Sequence, residues 1–449
     1  MSSAYGDAGK TKRKRTMVKR GLTTTTNALL RLRRSLPAAA SEALEVVLRL
    51  AEEEGRTLYL VGGGVRDLVL RRGQLDIDLV GEGPMVSLGE KAALVLAGRW
   101  VEHRAFGTVI IEGEGFRLDL AMARGERYAR PGALPKVRPA SIGEDLARRD
   151  FTINAMALAL CGRQRGQLLD PFDGMGDIAG RRLRVLHDCS FIDDATRILR
   201  AVRYETRFGF GIEENTLGLL KRDLGYLDTI SGARVRHDLL RLLAEDEPEK
   251  GLLRCQELGV LAAIHKALRF DHELAVACRR ARRAGQPLPQ PALHLALLGT
   301  RLSAADAEAV ALRLALSKRQ RQALEGAAEL AQLLPWLSRG DLCPSQMVER
   351  LELYPLPAVE AWALAASQSP VAERLGRYLG EWRYVKPSLD GRALERLGVP
   401  RGAGMGDVLR LLKAARLDGQ ASSREEEMEL VRGILAGRVE VPGAEAGEG

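Results

Sequence analysis

Cysteine is scarce and badly placed for bonding: Cys161, Cys189, Cys255, Cys278 and Cys343 are odd in number, scattered, and without a CxxC pair. That pattern argues against a disulfide framework or a cysteine zinc site and fits a reducing cytoplasm. No uncharged apolar run reaches the ~20 residues that a bilayer span requires. The first twenty residues have no apolar stretch of a secretory signal. A soluble cytoplasmic chain without a membrane partner is therefore expected. Histidine is also sparse: His265, His272 and His294, with Asp271, do not form the paired His-Asp arrangement of a metal phosphohydrolase, so that chemistry is not expected.

What is present is positive charge. The 449 residues carry a formal charge of +9, with 46% apolar and 28% charged side chains. This composition is globular, and the excess charge points to a polyanionic partner such as nucleic acid. Lys10, Lys12, Arg13, Lys14, Arg15, Lys19 and Arg20 crowd the start among small polar residues, which reads as a disordered basic tail over 1–25. The length predicts several domains.

Hydrophobic period divides the rest. "NALLRLRRSLPAAASEALEVVLRLAEEEGR" reads as helix ending at Gly55, and "TLYLV", "LDIDLV", "TVIIEG" and "FRLDLAM" read as strands. "SLGEKAALVLAGRW" reads as a helix among them. Interleaved strands and helices predict an α/β head with a small mixed sheet over 26–160. From about Phe191 onward the pattern is almost wholly helical. The expected class is α+β: the head, an all-α neck over 161–245, a helical body over 246–385, a last helical unit over 386–440, and a disordered end at 441–449.

The most informative stretch is "LVGGGVRDLVLRRGQLDIDLV". Glycines between a strand and a helix, here Gly62 and Gly63, let backbone approach a phosphate, and Arg66 adds positive potential; a plain tight turn uses the same residues. Asp76 and Asp78 lie two apart in a strand, so their carboxylates share a face while Ile77 and Leu79 bury the other. Adjacent like charges are costly unless a cation lies between them, and hard oxygen ligands of this kind suit Mg²⁺. Asp119, a lone acid among apolar residues on a predicted neighbouring strand, is the candidate third carboxylate for two-metal phosphoryl transfer. Asp194, Arg197, Arg200 and Arg203 recur every three residues, placing them on one side of a helix, where a salt-bridged solvent face is the simple alternative.

The glycine turn with VRD and DxD resembles the nucleotidyltransferase signature of the DNA polymerase β superfamily, in the form found in class II CCA-adding enzymes and bacterial poly(A) polymerases. "RRDFTINAMAL", "DPFDGMGDIAGRRLRVL", "DDATRILRAVRYETRFGF" and "ARVRHDLLRLL" follow in the family's order, so the likeness covers about residues 30–245 and continues more loosely to about 435. The resemblance implies addition of CCA to the tRNA 3′ end from CTP and ATP with two Mg²⁺ ions. It assigns Arg148, Arg149 and Asp150 to ribose and triphosphate. Asp194 and Arg197 become a protein template for the nucleobase edge, with Arg200 and Arg203 on phosphates or stiffening that template. Arg124, Glu126 and Tyr128 fall in a segment like the flexible loop that family members use when switching from CTP to ATP, and 386–440 is like a tRNA-binding tail. This chain departs from the family pattern at Asp173, where a glycine is usual, and at Asp193, where glutamate is usual. An A-only or CC-only enzyme and a poly(A) polymerase share these motifs. An RNA-binding protein that lost catalysis is the alternative of another class.

Overall fold

Proline and glycine set the joints of the chain, as seen in a computed structural model that describes residues 25–72, 77–103, 107–285, 291–366 and 369–437. The basic stretch before residue 25, the tail beyond 437 and Asp76 lie outside the described residues. The chain divides into two units, 1–230 and 231–449.

In the first unit the long amino-terminal helical run is two helices, α1 (Thr25–Ser35) and α2 (Ala38–Glu53), because Pro37 stands at the N-cap of the second. A proline supplies no backbone N–H and ends the preceding helix. Next come β1 (Leu58–Val61), α3 (Gly63–Val69), β2 (Asp78–Gly81), α4 (Val86–Val95), β3 (Arg99–His103), β4 (Thr108–Gly113) and β5 (Phe116–Met122). Where the sequence pattern ran helix through Trp100, the chain turns at Ala97, whose φ is 48°, and Arg99 and Trp100 already belong to β3. Gly98 makes this turn possible, since a Cβ there would lie 2.9 Å from the Glu112 carbonyl.

The segment expected as a loop after Asp119 is a hairpin, β6 (Arg124–Arg127) with β7 (Lys136–Pro139), followed by α5 (Ile142–Ala147). Then come β8 (Ala157–Ala159), β9 (Leu168–Leu169), α6 (Gly174–Ala179), β10 (Arg182–Leu183), α7 (Ser190–Asp193), α8 (Thr196–Phe208), β11 (Gly211–Ile212) and α9 (Glu214–Arg222).

The main sheet runs β3-β4-β5-β2-β1-β8-β9. All its neighbours are antiparallel except β2 and β5, which pair in parallel. Along β1 and β2 alternate residues serve different cores: Tyr59, Val61 and Val80 pack with Ile142 and Leu146 of α5. Leu58, Leu60 and Leu79 are buried on the opposite face, the side expected from period-two alternation.

The second unit is helical throughout its described residues. One core gathers Leu330, Leu337, Leu351, Val359, Leu375 and Trp382. Another gathers Leu389, Leu394, Val408, Leu412 and Val431 around the helices Gly391–Arg396, Ala403–Leu417 and Arg424–Leu435. The buried Glu427 fastens that last cluster by accepting from the amides of Ser388 and Leu389, each at 2.9 Å, and from Arg416 at 2.7 Å. Among the described residues no helix is long and apolar enough to cross a membrane.

Candidate active site

Parallel pairing of β2 with β5 sets Asp78 directly beside Asp119. Register partners project to the same face of a sheet, so two carboxylates stand together on the face that Val80 and Ala121 share. Asp119 is about one-third exposed and accepts from Arg117 at 3.1 Å. Asp78 is half-buried. A pair of hard oxygen donors on one face fits a divalent cation such as Mg²⁺, and the sequence-adjacent Asp76 lies outside the described residues.

The glycine turn sits at the end of β1. Gly62 has φ 61° and ψ −123°, and a Cβ there would fall 2.5 Å from Nη1 of Arg149. Glycine is therefore needed twice over at this position, for its backbone and for the guanidinium that lies across it. Gly63 begins α3, with Nη2 of Arg66 close to where its Cβ would be. Arg66 itself is 5% exposed. It forms a two-pronged pair with Asp67, both contacts at 3.0 Å, donates to Asn154 at 2.6 Å, and lies over the rings of Phe208 and Tyr204. Its charge at the turn is thus balanced by Asp67, and Arg149 supplies the less compensated cation.

Asp145, fully buried on α5, holds both arginines that follow it. It accepts from Arg148 at 2.6 Å and from Arg149 at 2.8 Å. Burial would raise its carboxyl, but the two guanidiniums pull it below the ordinary carboxylate range. Arg148 continues to Glu126 at 2.8 Å, and Glu126 also accepts from Arg124 at 3.3 Å and from the Tyr128 hydroxyl at 2.9 Å. Burial, then the nearby Glu126, drives the Tyr128 phenol up. Arg124 and Glu126 thus lie on the first strand of the hairpin and Tyr128 just past its end, all three linked to the end of α5 through Glu126 and Arg148.

Arg197, Arg200 and Arg203 lie on α8 as the helical spacing implied, but Asp194 stands before that helix with extended backbone at the end of α7, and two of the arginines are buried: Arg197 is 5% and Arg203 7% exposed. Arg197 donates to the Ser190 hydroxyl at 2.7 Å and to the Arg148 carbonyl at 2.8 Å. Asp194 accepts from the Thr196 amide and hydroxyl at 3.0 and 2.7 Å. Arg200 reaches Asp150 at 2.5 Å, and Arg203 lies over the Tyr204 ring at 4.9 Å. A cleft of about 260 Å³ opens beside Arg197, lined also by Glu126, Tyr128, Arg148, His187 and Asp193. Burial, then the neighbouring Arg197, lowers His187, and burial raises Asp193 despite His187 at 3.8 Å. The shortened Asp193 therefore faces this cleft.

In the "DPFDGMGD" turn, Asp170 accepts from the amides of Gly174 and Met175 at 2.6 and 2.9 Å. Asp173 sits at φ 60°, ψ 39°. This is the left-handed region, which glycine enters without a Cβ penalty, a physical reason for the glycine usual in the family pattern. Reading the sequence missed Asp145, Asn154 and His187. Asp145 was signalled by its i+3 and i+4 spacing to Arg148 and Arg149, and Asn154 by being a lone amide in the apolar run "FTINAMALAL".

Comparisons with known proteins give the chain's family and fold. Residues 58–184 match the family described as "Poly A polymerase head domain", and 209–270 match "Probable RNA and SrmB- binding site of polymerase A". The chain is 32% identical to an A-adding tRNA nucleotidyltransferase of Geobacter sulfurreducens over 89% of this chain, spanning about half (47%) of that longer protein. It is 31% identical to the A-adding tRNA nucleotidyltransferase of Halalkalibacterium halodurans over 87% of this chain and 92% of that one. It is 32% identical to the CC-adding tRNA nucleotidyltransferase of Deinococcus radiodurans, over 84% of this chain and 89% of that one. Among solved structures, a CCA-adding enzyme in an apo form matches with TM-score 0.77 at 30% identity, covering 92% of this chain and 98% of that one. The Thermotoga maritima CCA-adding enzyme complexed with tRNA matches with TM-score 0.73 at 29% identity over the same shares. Complexes of a CCA-adding enzyme with ATP and with CTP each match with TM-score 0.74 at 28% identity, again over 92% of this chain and 98% of theirs.

Proposed function

Because the chain belongs to the family of tRNA nucleotidyltransferases built on the poly(A) polymerase head domain, we propose that it completes the CCA end of tRNA from CTP and ATP in the cytoplasm. The observation that carries this reading is the Asp78–Asp119 pair in register on β2 and β5, on the same head as a glycine turn crossed by Arg149. A binding protein would have no need of this costly juxtaposition of like charges.

Asp78 and Asp119, with Asp76 nearby in sequence, are the residues that would hold Mg²⁺. When bound, the metal supplies a lowered pKa for the attacking hydroxyl and charge stabilisation for the departing pyrophosphate. The protein's own share is positioning. Arg149 meets the triphosphate at the glycine turn, with Arg148 and Asp150 beside it and Arg200 and Arg203 behind. Arg197 presents guanidinium donors to the nucleobase edge, and Asp194 an acceptor. As the tRNA 3′ hydroxyl loses its proton to solvent, its oxygen attacks the α-phosphorus in line, the bond from that phosphorus to the α–β bridging oxygen breaks, and pyrophosphate departs. The helices of 246–385 and the tail of 386–440 are proposed to hold tRNA by phosphate contacts.

Addition of the terminal A alone is a second reading, favoured by full-length similarity to an A-adding enzyme. Labelled CTP and ATP, offered separately and together with Mg²⁺ to tRNA ending before CCA, after C and after CC, separate the two. Growth of all three substrates to CCA supports the first reading. Extension of only the CC-ended tRNA, by one A, supports the second. No extension under any condition leaves the catalytically inactive RNA-binding protein.

A further inference from the structure

Three parts of the first unit meet at one side chain that the proposed mechanism does not use. Asn154 is 5% exposed. Its Oδ1 accepts from Nη1 of Arg66 at 2.6 Å, and its Nδ2 donates to Oδ1 of Asp150 at 2.9 Å. Asp150 in turn accepts from the Phe151 amide at 2.8 Å and, on its other oxygen, from Arg200 of α8 at 2.5 Å. Arg66 belongs to α3, the helix that the glycine turn begins. A single carboxamide therefore lies between the phosphate-side turn and the helix that carries Arg197.

The chemistry at the two ends is opposite, and only a carboxamide in one orientation satisfies both. A guanidinium needs an acceptor, and a carboxylate needs a donor. Rotating the amide by half a turn would set N–H against N–H and oxygen against oxygen. Aspartate is nearly the same shape but offers two acceptors when ionised, so it would oppose Asp150. Alanine would leave both buried charged neighbours short of a partner. The aromatic packing beneath, with Phe151 edge-on to Tyr204 at 5.8 Å and Arg66 over Phe208 at 4.6 Å, prevents the two elements from closing onto a smaller residue at no cost.

We propose that Asn154 is a positioning residue that locks the glycine-turn helix to the nucleobase-reading helix, so that phosphate and base are held in one frame during nucleotidyl transfer. The inference rests on the proposed function but concerns a residue outside its machinery. Asn154 touches Arg66 of α3 and Asp150 of its own segment, and the charged and titratable groups acting on those two are Asp67 from α3 and Arg197, Arg200 and Tyr204 from α8. An aspartate at 154 has a specific pH signature among them. Once protonated, its hydroxyl donates to Asp150 while its carbonyl accepts from Arg66, restoring the pattern of the amide.

The test compares wild type, Asn154→Ala and Asn154→Asp in full-length protein, reading incorporation of ATP into CC-ended tRNA, tRNA affinity, and the rise in melting temperature caused by ATP. Misplacing reacting groups by a fraction of an ångström predicts about a 10- to 100-fold loss of kcat/KM in Asn154→Ala with tRNA affinity unchanged. The ratio of Asn154→Asp activity to wild type should climb severalfold between pH 8 and pH 6. Either a kcat/KM in Asn154→Ala within about twofold of wild type or a flat Asn154→Asp ratio overturns the inference. Wild type that binds ATP without extending tRNA sinks the proposed reaction, while the ATP-induced melting shift of the variants still decides the role of Asn154. Wild type that does neither overturns both.

Discussion

Acid should release a defined amount of stability through Asp150. Its side chain is 6% exposed. Burial alone would raise the carboxyl, but Arg200, the Asn154 amide and Arg197 outweigh it and hold the group at about 2 instead of its ordinary 3.8. A depressed folded-state pKa favours the folded form wherever the unfolded carboxyl is already ionised, and that advantage disappears as pH falls through the folded value. The difference corresponds to about 2 kcal/mol, intact above about pH 5 and mostly gone by about pH 2. Every other carboxylate also titrates in that window, so the measurement must be a difference. Urea unfolding of wild type and Asp150→Asn across this range isolates the contribution, because the variant keeps the shape and loses the titration. The stability gap between them should narrow by about 2 kcal/mol from pH 6 to pH 2. A gap that stays constant would refute the claim that Arg200 and its neighbours hold Asp150 ionised.

Other outcomes follow from the same site. Asp145→Asn should destabilise by about 2–4 kcal/mol, the cost of leaving two partly solvated arginines without their buried partner, read as a lower melting temperature; a melt matching wild type would show that Arg148 and Arg149 find water instead. Asp78→Ala should abolish incorporation with tRNA affinity largely kept, and equal loss of both would count against the metal role. Arg197→Ala should blur the choice among nucleotides more than it weakens tRNA binding; an unchanged choice removes the template assignment. Gly62→Ala must carry φ 61° and a Cβ pressed on Arg149, so a loss of about 1–2 kcal/mol is expected from the backbone alone, and a neutral result would mean that the turn relaxes.

Much of the head was legible because period-two alternation and glycine turns are local signals. "FRLDLAM" and "TVIIEG" show their strands in their own residues, and Ile77 and Leu79 mark the face of β2 opposite Asp78. Asp119 could be nominated as a lone acid in an apolar strand, but its placement beside Asp78 depends on a long-range register that no local pattern encodes. The hairpin after Ala123 was hidden for a related reason: "RGER" and "KVRP" are polar and short, and their pairing is supported by Glu126 and Asp145 reaching across to arginines. The three-residue spacing of Arg197, Arg200 and Arg203 gave the helix correctly and left their burial open. An arginine at such spacing is ordinarily solvated, and tertiary partners, the Ser190 hydroxyl and the Arg148 carbonyl, account for the burial of Arg197. The break between the first two helices was written in Pro37, inside a run otherwise periodic throughout.

The lone parallel contact in the head, β2 against β5, also determines which changes of length the chain can accept. Between these strands lie α4 and the antiparallel pair β3 and β4, which returns the chain to the sheet, so insertions at the exposed turns near 82–84 and 113–115 leave Asp78 facing Asp119. A single residue added or removed within β5 is different in kind, because it turns Asp119 toward the leucine face and brings an apolar neighbour beside Asp78. Lineages descended from such a chain could therefore vary freely in the size of their outer turns, while frame within this one strand would stay fixed.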